Sequence, residues 1–69
     1  MHQSNVLQAL KERREQLGVT QDQLAELADV ALRTIKALDS GKGNPTVSTL
    51  IKLADVLGME LKLDVRKPN

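Results

Sequence analysis

The sequence contains no cysteine, phenylalanine, tryptophan or tyrosine. Without cysteine the chain can form neither a disulfide nor a thiolate metal site, and it has no thiol nucleophile. Without aromatic rings its core must be aliphatic, and it lacks the platforms on which proteins stack unpaired bases. Its single histidine, His2, cannot bind a metal ion alone. We therefore expect neither a metal site nor another cofactor.

The sequence also lacks an apolar run of the ~20 residues that a membrane-spanning helix needs. Its first residues have neither the charged nor the apolar region of a signal peptide, which favours a cytoplasmic protein without a membrane partner. It contains no phosphate-binding glycine loop and no histidine paired with a nucleophile, so we do not expect an enzyme. The net charge of +1 is too small to indicate nucleic-acid binding by itself.

The length of 69 residues suits one small domain. A chain of this size buries only about 60% of the surface that it exposes when unfolded, so its stability is marginal. Small domains usually gain stability from a disulfide, a metal ion or a partner subunit. Since the composition excludes the first two, we expect a partner subunit.

Four segments have the capping residues and apolar spacing of helices. They run from Ser4 or Asn5 to about Leu17, from Thr20 to about Ala28, from Leu32 to about Ser40, and from Thr46 to about Leu57. Thr20 and Gln23 have the spacing of a capping box. Glycine follows the first, third and fourth segments, as expected at the ends of helices. The sequence therefore predicts an all-α domain over residues 1–58.

The last segment, residues 59–69, has a different period. Leu61, Leu63 and Val65 alternate with charged residues, which is typical of a β-strand. A lone strand cannot pair its backbone groups within this chain, so we expect it to pair with the same strand of a second copy and form a homodimer. The alternative is a frayed tail that lies on the helices.

The second and third helices are short and are joined by only three residues, 29–31, an arrangement typical of a helix-turn-helix. The third helix would keep Ile35 and Leu38 against the domain and present its opposite face to a DNA major groove. That outer face consists of Leu32, Arg33, Lys36 and Ala37. Arg33 can donate two hydrogen bonds to a guanine edge. Alternatively, Arg33 and Lys36 are ordinary exposed residues of a helix.

Many separated positions match one known pattern in register, among them Thr20-Gln21, Leu24-Ala25, Thr34-Ile35, Gly41, Pro45, Leu53-Ala54 and Leu57-Gly58. In these positions the chain resembles the phage repressor and Cro-like helix-turn-helix family, often called the XRE family. The resemblance extends from about Val6 to Gly58. It implies a compact four-helix, lambda-repressor-like DNA-binding domain over residues 1–58, with the helix-turn-helix at about 20–40. The short C-terminal β-strand would follow this domain.

The resemblance also implies which residues contact DNA. Gln21 corresponds to a residue that binds a phosphate and supports the recognition helix, and Lys42 and Asn44 correspond to a loop along the DNA backbone. The implied DNA-binding set is Thr20, Gln21, Leu32, Arg33, Lys36, Ala37, Lys42 and Asn44. Arg14 and Asp39 correspond to a structural ion pair. Loss of one partner would cost roughly 3–5 kcal/mol if that pair is well buried.

Three features depart from the family pattern. Asp29 replaces a glycine in the turn, and aspartate tolerates a left-handed conformation less well than glycine. Ala31 replaces a serine or threonine cap of the recognition helix, which removes about 1 kcal/mol of capping and a possible phosphate contact. The strand-like tail replaces a fifth helix, and in this respect the chain is similar to the antitoxin subgroup that resembles HipB.

We therefore expect a dimeric transcriptional repressor that binds a palindromic operator in double-stranded DNA, with Leu61, Leu63 and Val65 in the dimer interface. The narrower hypothesis is the antitoxin of a toxin–antitoxin operon, with a toxin protein as a further partner. The alternatives are a stand-alone phage-type repressor without a toxin partner and a protein-interaction module that does not bind DNA.

Overall fold

A computed structural model of the chain describes residues 3–63 and 65, with the side chains from Asn5 onward. It contains four helices in the predicted order: α1 (Gln3–Gln16), α2 (Gln21–Ala28), α3 (Leu32–Asp39) and α4 (Val47–Val56). α2 packs against both α3 and α4, and α1 packs against α3. Among the described residues, none of the four helices combines the length and the hydrophobicity of a membrane span.

Side chains close the first turns of α2 and α4. At α2, the Thr20 hydroxyl accepts from the Gln23 backbone N–H at 3.0 Å, and the Gln23 side chain accepts from the Thr20 N–H at 2.9 Å. This is the predicted capping box, and such a cap contributes ~1 kcal/mol. At α4, the Thr46 hydroxyl accepts from the Thr49 N–H at 3.1 Å. α3 has no such cap, because Ala31 offers no side-chain acceptor.

The core is aliphatic, as the absence of aromatic residues requires. Its buried residues are Leu7, Leu10, Leu24, Ala28, Ile35, Leu38, Leu53, Ala54 and Leu57. Ile35, Leu53 and Leu57 are the largest of those with almost no exposed surface. A fully buried leucine or isoleucine contributes ~1.5–3 kcal/mol relative to the exposed side chain, so these three residues anchor α3 and α4 in the common core.

A polar contact ties α1 to the end of α4. The Arg13 Nε donates to the Leu57 carbonyl at 3.0 Å, and a cation at this position interacts favourably with the helix dipole. α4 then ends in a Schellman motif, in which Gly58 has a φ of +67° and the Met59 N–H donates to the Ala54 carbonyl at 2.8 Å. The Ala54 and Leu57 carbonyls are therefore both paired.

The predicted C-terminal β-strand is wrong, and the fold class is corrected to a four-helix domain without it. Residues 59–63 and 65 form no strand, and Leu63 and Val65 are 102% and 93% exposed. A strand requires a neighbouring strand to pair its backbone groups, and the described residues supply none. Alternation of apolar and charged residues therefore did not suffice to specify a strand. Asp64 and residues 66–69 lie outside the described residues.

Asp29, the C-cap of α2, is the one non-glycine residue with a positive φ in the described chain, at φ 55° and ψ 49°. This conformation strains an L-residue, and the carboxylate lies at the negative end of the α2 dipole. We predict that Asp29→Gly raises the free energy of unfolding by about 0.5–1 kcal/mol, because relief of the strain outweighs the greater flexibility of the unfolded chain. Urea unfolding at neutral pH measures this change.

Asp29→Asn is the matched control, because it removes the charge and keeps the Cβ. It separates the effect of the helix dipole from that of the backbone strain. An Asp29→Gly protein less stable than the wild type would show that the left-handed position imposes no strain on aspartate.

Candidate nucleic-acid interface

A tight turn at residues 29–31 joins α2 to α3. The Val30 N–H donates to the Ala25 carbonyl at 3.0 Å, which closes the end of α2, and the Val30 side chain packs against the core. The Ala31 carbonyl accepts from the Thr34 N–H at 3.0 Å and begins α3. Backbone hydrogen bonds and one apolar anchor thus hold the two helices in a helix-turn-helix arrangement.

The two faces of α3 differ in burial and in charge. Ile35 and Leu38 are buried in the core. Of the residues predicted for the outer face, Arg33 and Lys36 are exposed, whereas Leu32 and Ala37 are half-buried. Because its apolar face is fixed in the core, α3 presents its two cations to solvent. The exposed face of α3 is therefore narrower than the four-residue face that the sequence predicted.

An open groove of about 350 Å³ runs between α3 and the loop that follows it. Its lining residues are Arg33, Thr34, Ala37, Leu38, Gly43, Asn44 and Pro45. The Lys42 N–H donates to the Ala37 carbonyl at 2.8 Å, which holds the loop against the end of α3. A Cβ on Gly43 would lie 3.5 Å from the Leu38 side chain, and the φ of +92° at this position favours glycine.

The residues that the sequence predicted to contact DNA form only part of the lining of this groove. Lys42 and Asn44 are both exposed in the loop beside α3. Thr34, Gly43 and Pro45 line the same groove, but they were not among the predicted site residues. Thr34 and Pro45 do lie at positions that match the family pattern, so the signal for them was present.

The exposed charges on α3 and on this loop are all positive. Arg33, Lys36 and Lys42 are exposed, and none of them forms a salt bridge within the described part of the chain. They give this surface a local positive potential although the net charge of the chain is only +1. A phosphate backbone is a ligand that such a surface favours. No cluster of three or more potential metal ligands occurs among residues 3–63 and 65.

Asp39, the last residue of α3, links three helices through one carboxylate oxygen. Arg14 Nη2 of α1 lies 2.8 Å from Asp39 Oδ2, and Gln21 Nε2 of α2 donates to the same oxygen at 2.9 Å. Arg14 Nη1 also donates to the Val19 carbonyl at 2.7 Å. The family resemblance implied the ion pair and a supporting role for Gln21, and the structure identifies Asp39 as the residue of the recognition helix that Gln21 contacts.

The ion pair is shielded from solvent only in part, since the side chains of Arg14 and Asp39 are 12% and 14% exposed. Hydrogen bonds to charged groups contribute about 1.5–3 kcal/mol, which is less than the loss expected for a fully buried pair. Arg14 Nε is buried and has no hydrogen-bond partner among the residues that the structure describes. Besides Asp39, the Val19 carbonyl accepts a hydrogen bond from this guanidinium.

Comparisons with known proteins give one consistent family. A family model described as helix-turn-helix matches residues 10–63. An uncharacterised HTH-type transcriptional regulator of Methanothermobacter thermautotrophicus is 39% identical over 51 residues, which are 74% of this chain and 74% of that protein. The cryptic phage CTXphi transcriptional repressor RstR of Vibrio cholerae is 34% identical over 59 residues, which are 86% of this chain and 51% of the repressor.

A third relative, an uncharacterised HTH-type transcriptional regulator of Haemophilus influenzae, is 40% identical over 50 residues, which are 72% of this chain and 51% of that protein. The match therefore spans about half the length of the Vibrio and Haemophilus relatives and three quarters of the Methanothermobacter protein.

Proposed function

Because the chain belongs to the helix-turn-helix family, we propose that it is a sequence-specific transcriptional regulator that binds double-stranded DNA through α3. The main observation in support is the division of α3 into a buried apolar face, with Ile35 and Leu38, and an exposed cationic face, with Arg33 and Lys36. At a rise of 1.5 Å per residue α3 is about 12 Å long, and a helix of this size lies readily in a major groove about 12 Å wide.

In this proposal the residues of α3 contact base edges. Arg33 donates two hydrogen bonds to a guanine, which is the commonest specific contact in the major groove. Lys36 binds a base or a phosphate. Leu32 and Ala37 retain some exposed surface, which suits contact with thymine methyl groups.

Residues outside α3 contact the DNA backbone and set the orientation of the domain. Lys42 and Asn44 lie along the backbone in the loop after α3. Thr20 and Gln21 bind a phosphate at the start of α2, where the helix dipole favours an anion. The Thr20 hydroxyl accepts a hydrogen bond from its own helix, and it keeps one hydrogen to donate to a phosphate.

Repression is the regulatory outcome that we propose, and a relative named as a phage transcriptional repressor that matches 86% of the chain supports it. One short helix contacts only a few base pairs, so a monomer binds weakly. We propose a homodimer on a palindromic operator, with half-sites about 34 Å apart, one turn of DNA.

The proposed dimer interface contains Leu61, Leu63 and Val65, which are exposed aliphatic side chains in a chain with a small core. Beside Leu61, an open hollow of about 210 Å³ is lined in part by Val6 and Met59. Burial of these side chains by a second copy would stabilise the domain through apolar packing. This interface consists of side-chain contacts and does not involve pairing of β-strands.

The narrower antitoxin hypothesis depended on the C-terminal strand. Residues 59–63 and 65 lack that strand, so a toxin partner has no structural observation in its favour. The rival from another class is a protein-interaction module. Salt-dependent affinity for duplex DNA separates the two, because phosphate contacts release counterions.

We predict that Arg33 contributes to sequence preference, whereas Lys42 contributes mainly to affinity. Arg33→Ala should weaken binding to the preferred duplex by about 1–3 kcal/mol and relax specificity at one base pair. Lys42→Ala should lower the affinity for all duplexes alike. It should also reduce the slope of log affinity against log salt concentration by about one unit. Titrations of a set of single-base variants at several salt concentrations measure both effects. If Arg33→Ala leaves the order of preferred sequences unchanged, the assignment of Arg33 is wrong.

We predict that truncation after Gly58 gives a less stable monomer with much weaker affinity for the operator. The reason is the loss of Leu61, Leu63 and Val65 from the interface. Sedimentation gives the oligomeric state, and footprinting gives the protected site. Lys62→Gln is the control, because its exposed pair with Glu60 at 3.6 Å contributes little. A truncated protein that remains a dimer and protects a palindromic site would place the interface elsewhere.

A further inference from the structure

Asp39 accepts two hydrogen bonds at one oxygen, and the second comes from a residue proposed to contact DNA. Arg14 Nη2 and Gln21 Nε2 lie 2.8 and 2.9 Å from Asp39 Oδ2. A carboxylate oxygen only accepts hydrogen bonds, so the amide of Gln21 must turn its NH₂ group toward Asp39. Asp39 therefore fixes the orientation of a half-buried side chain at the start of α2.

This orientation suits the binding of a phosphate. Nε2 of Gln21 carries two hydrogens, and within the described part of the chain one of them is bonded to Asp39. The other can donate to a phosphate oxygen, whereas the amide oxygen would repel it. Gln21 is the first residue of α2, where the helix dipole adds a partial positive charge.

A carboxylate close to a DNA-binding surface needs a compensating charge, because it repels phosphates. Arg14 supplies that charge at the same oxygen. The pair of Arg14 and Asp39 thus gives Gln21 a strong hydrogen-bond acceptor without leaving a net negative charge beside the DNA.

We propose that Asp39 is a positioning residue for DNA binding, which holds the amide of Gln21 so that its free N–H faces a DNA phosphate. The inference rests on the proposed function and deepens it. A purely structural role for Asp39 predicts the opposite sign. Neutralisation of Asp39 would then remove a negative charge near DNA and strengthen binding, whereas loss of the Gln21 orientation weakens it.

The test is a double-mutant cycle on the full chain with Asp39→Ala, which removes the acceptor of the Gln21 bond, and Gln21→Ala. The probes are a 20-bp duplex of arbitrary sequence at low salt and a duplex recovered by selection, at a temperature where melting curves show every variant folded. We expect each single substitution to lower the affinity for both duplexes by about tenfold, because one hydrogen bond to a phosphate is lost. In the Gln21→Ala background, Asp39→Ala should no longer weaken binding.

Asp22→Ala is the charge-matched control, since Asp22 is an exposed acid next to Gln21 on the same helix. Its neutralisation should leave affinity unchanged or raise it. The inference is overturned if Asp39→Ala leaves affinity unchanged or raises it, or if it weakens binding equally in both backgrounds. A wild-type protein that binds neither duplex overturns the proposed function itself, so the two failures are distinct.

NMR of the wild-type protein provides a measurement that does not depend on how the variants fold. One side-chain amide proton of Gln21 should lie downfield of the usual glutamine range in the free protein, because it is bonded to Asp39. The other proton should shift when the duplex is added. The exposed Gln16 is the internal control. Amide shifts of Gln21 that match those of Gln16 would overturn the inference.

Discussion

The packing of Ile35 and Leu38 into the aliphatic core fixes the orientation of α3, and the position of each exposed side chain of α3 follows from it. A helix of eight residues has little stability alone, so tertiary packing must hold it in place. Because the inner face is buried, Arg33 and Lys36 are directed to solvent. The turn at residues 29–31 and the loop after α3 then determine which surfaces lie beside these cations.

Polar contacts between helices supplement the packing of the core. Asp39 joins α1, α2 and α3 through Arg14 and Gln21, and Arg13 joins α1 to the end of α4. In a domain this small each such contact is a considerable fraction of the stability, which is a few kcal/mol in total. The contact of Asp39 also lies beside the proposed phosphate site. In the proposed function, one carboxylate therefore contributes both to folding and to DNA binding.

Local signals in the sequence predicted the helices well and the tail badly. The caps at Thr20 and Thr46 and the glycines after the helices act within one turn of chain, so each was visible in the sequence. The C-terminal alternation failed because a strand depends on a partner that local sequence does not specify. The bonds from Gln21 to Asp39 and from Arg13 to Leu57 span 18 and 44 residues, and only the folded structure brings these groups together.

Binding-site selection from a pool of random duplexes tests the central claim most directly, namely that the exposed face of α3 recognises DNA sequence. The full chain should enrich one short motif over successive rounds, with guanine at a fixed position for Arg33. Two copies of the motif should recur about one helical turn apart if the protein binds as a dimer. A pool that remains random after several rounds at low and moderate salt would contradict the account.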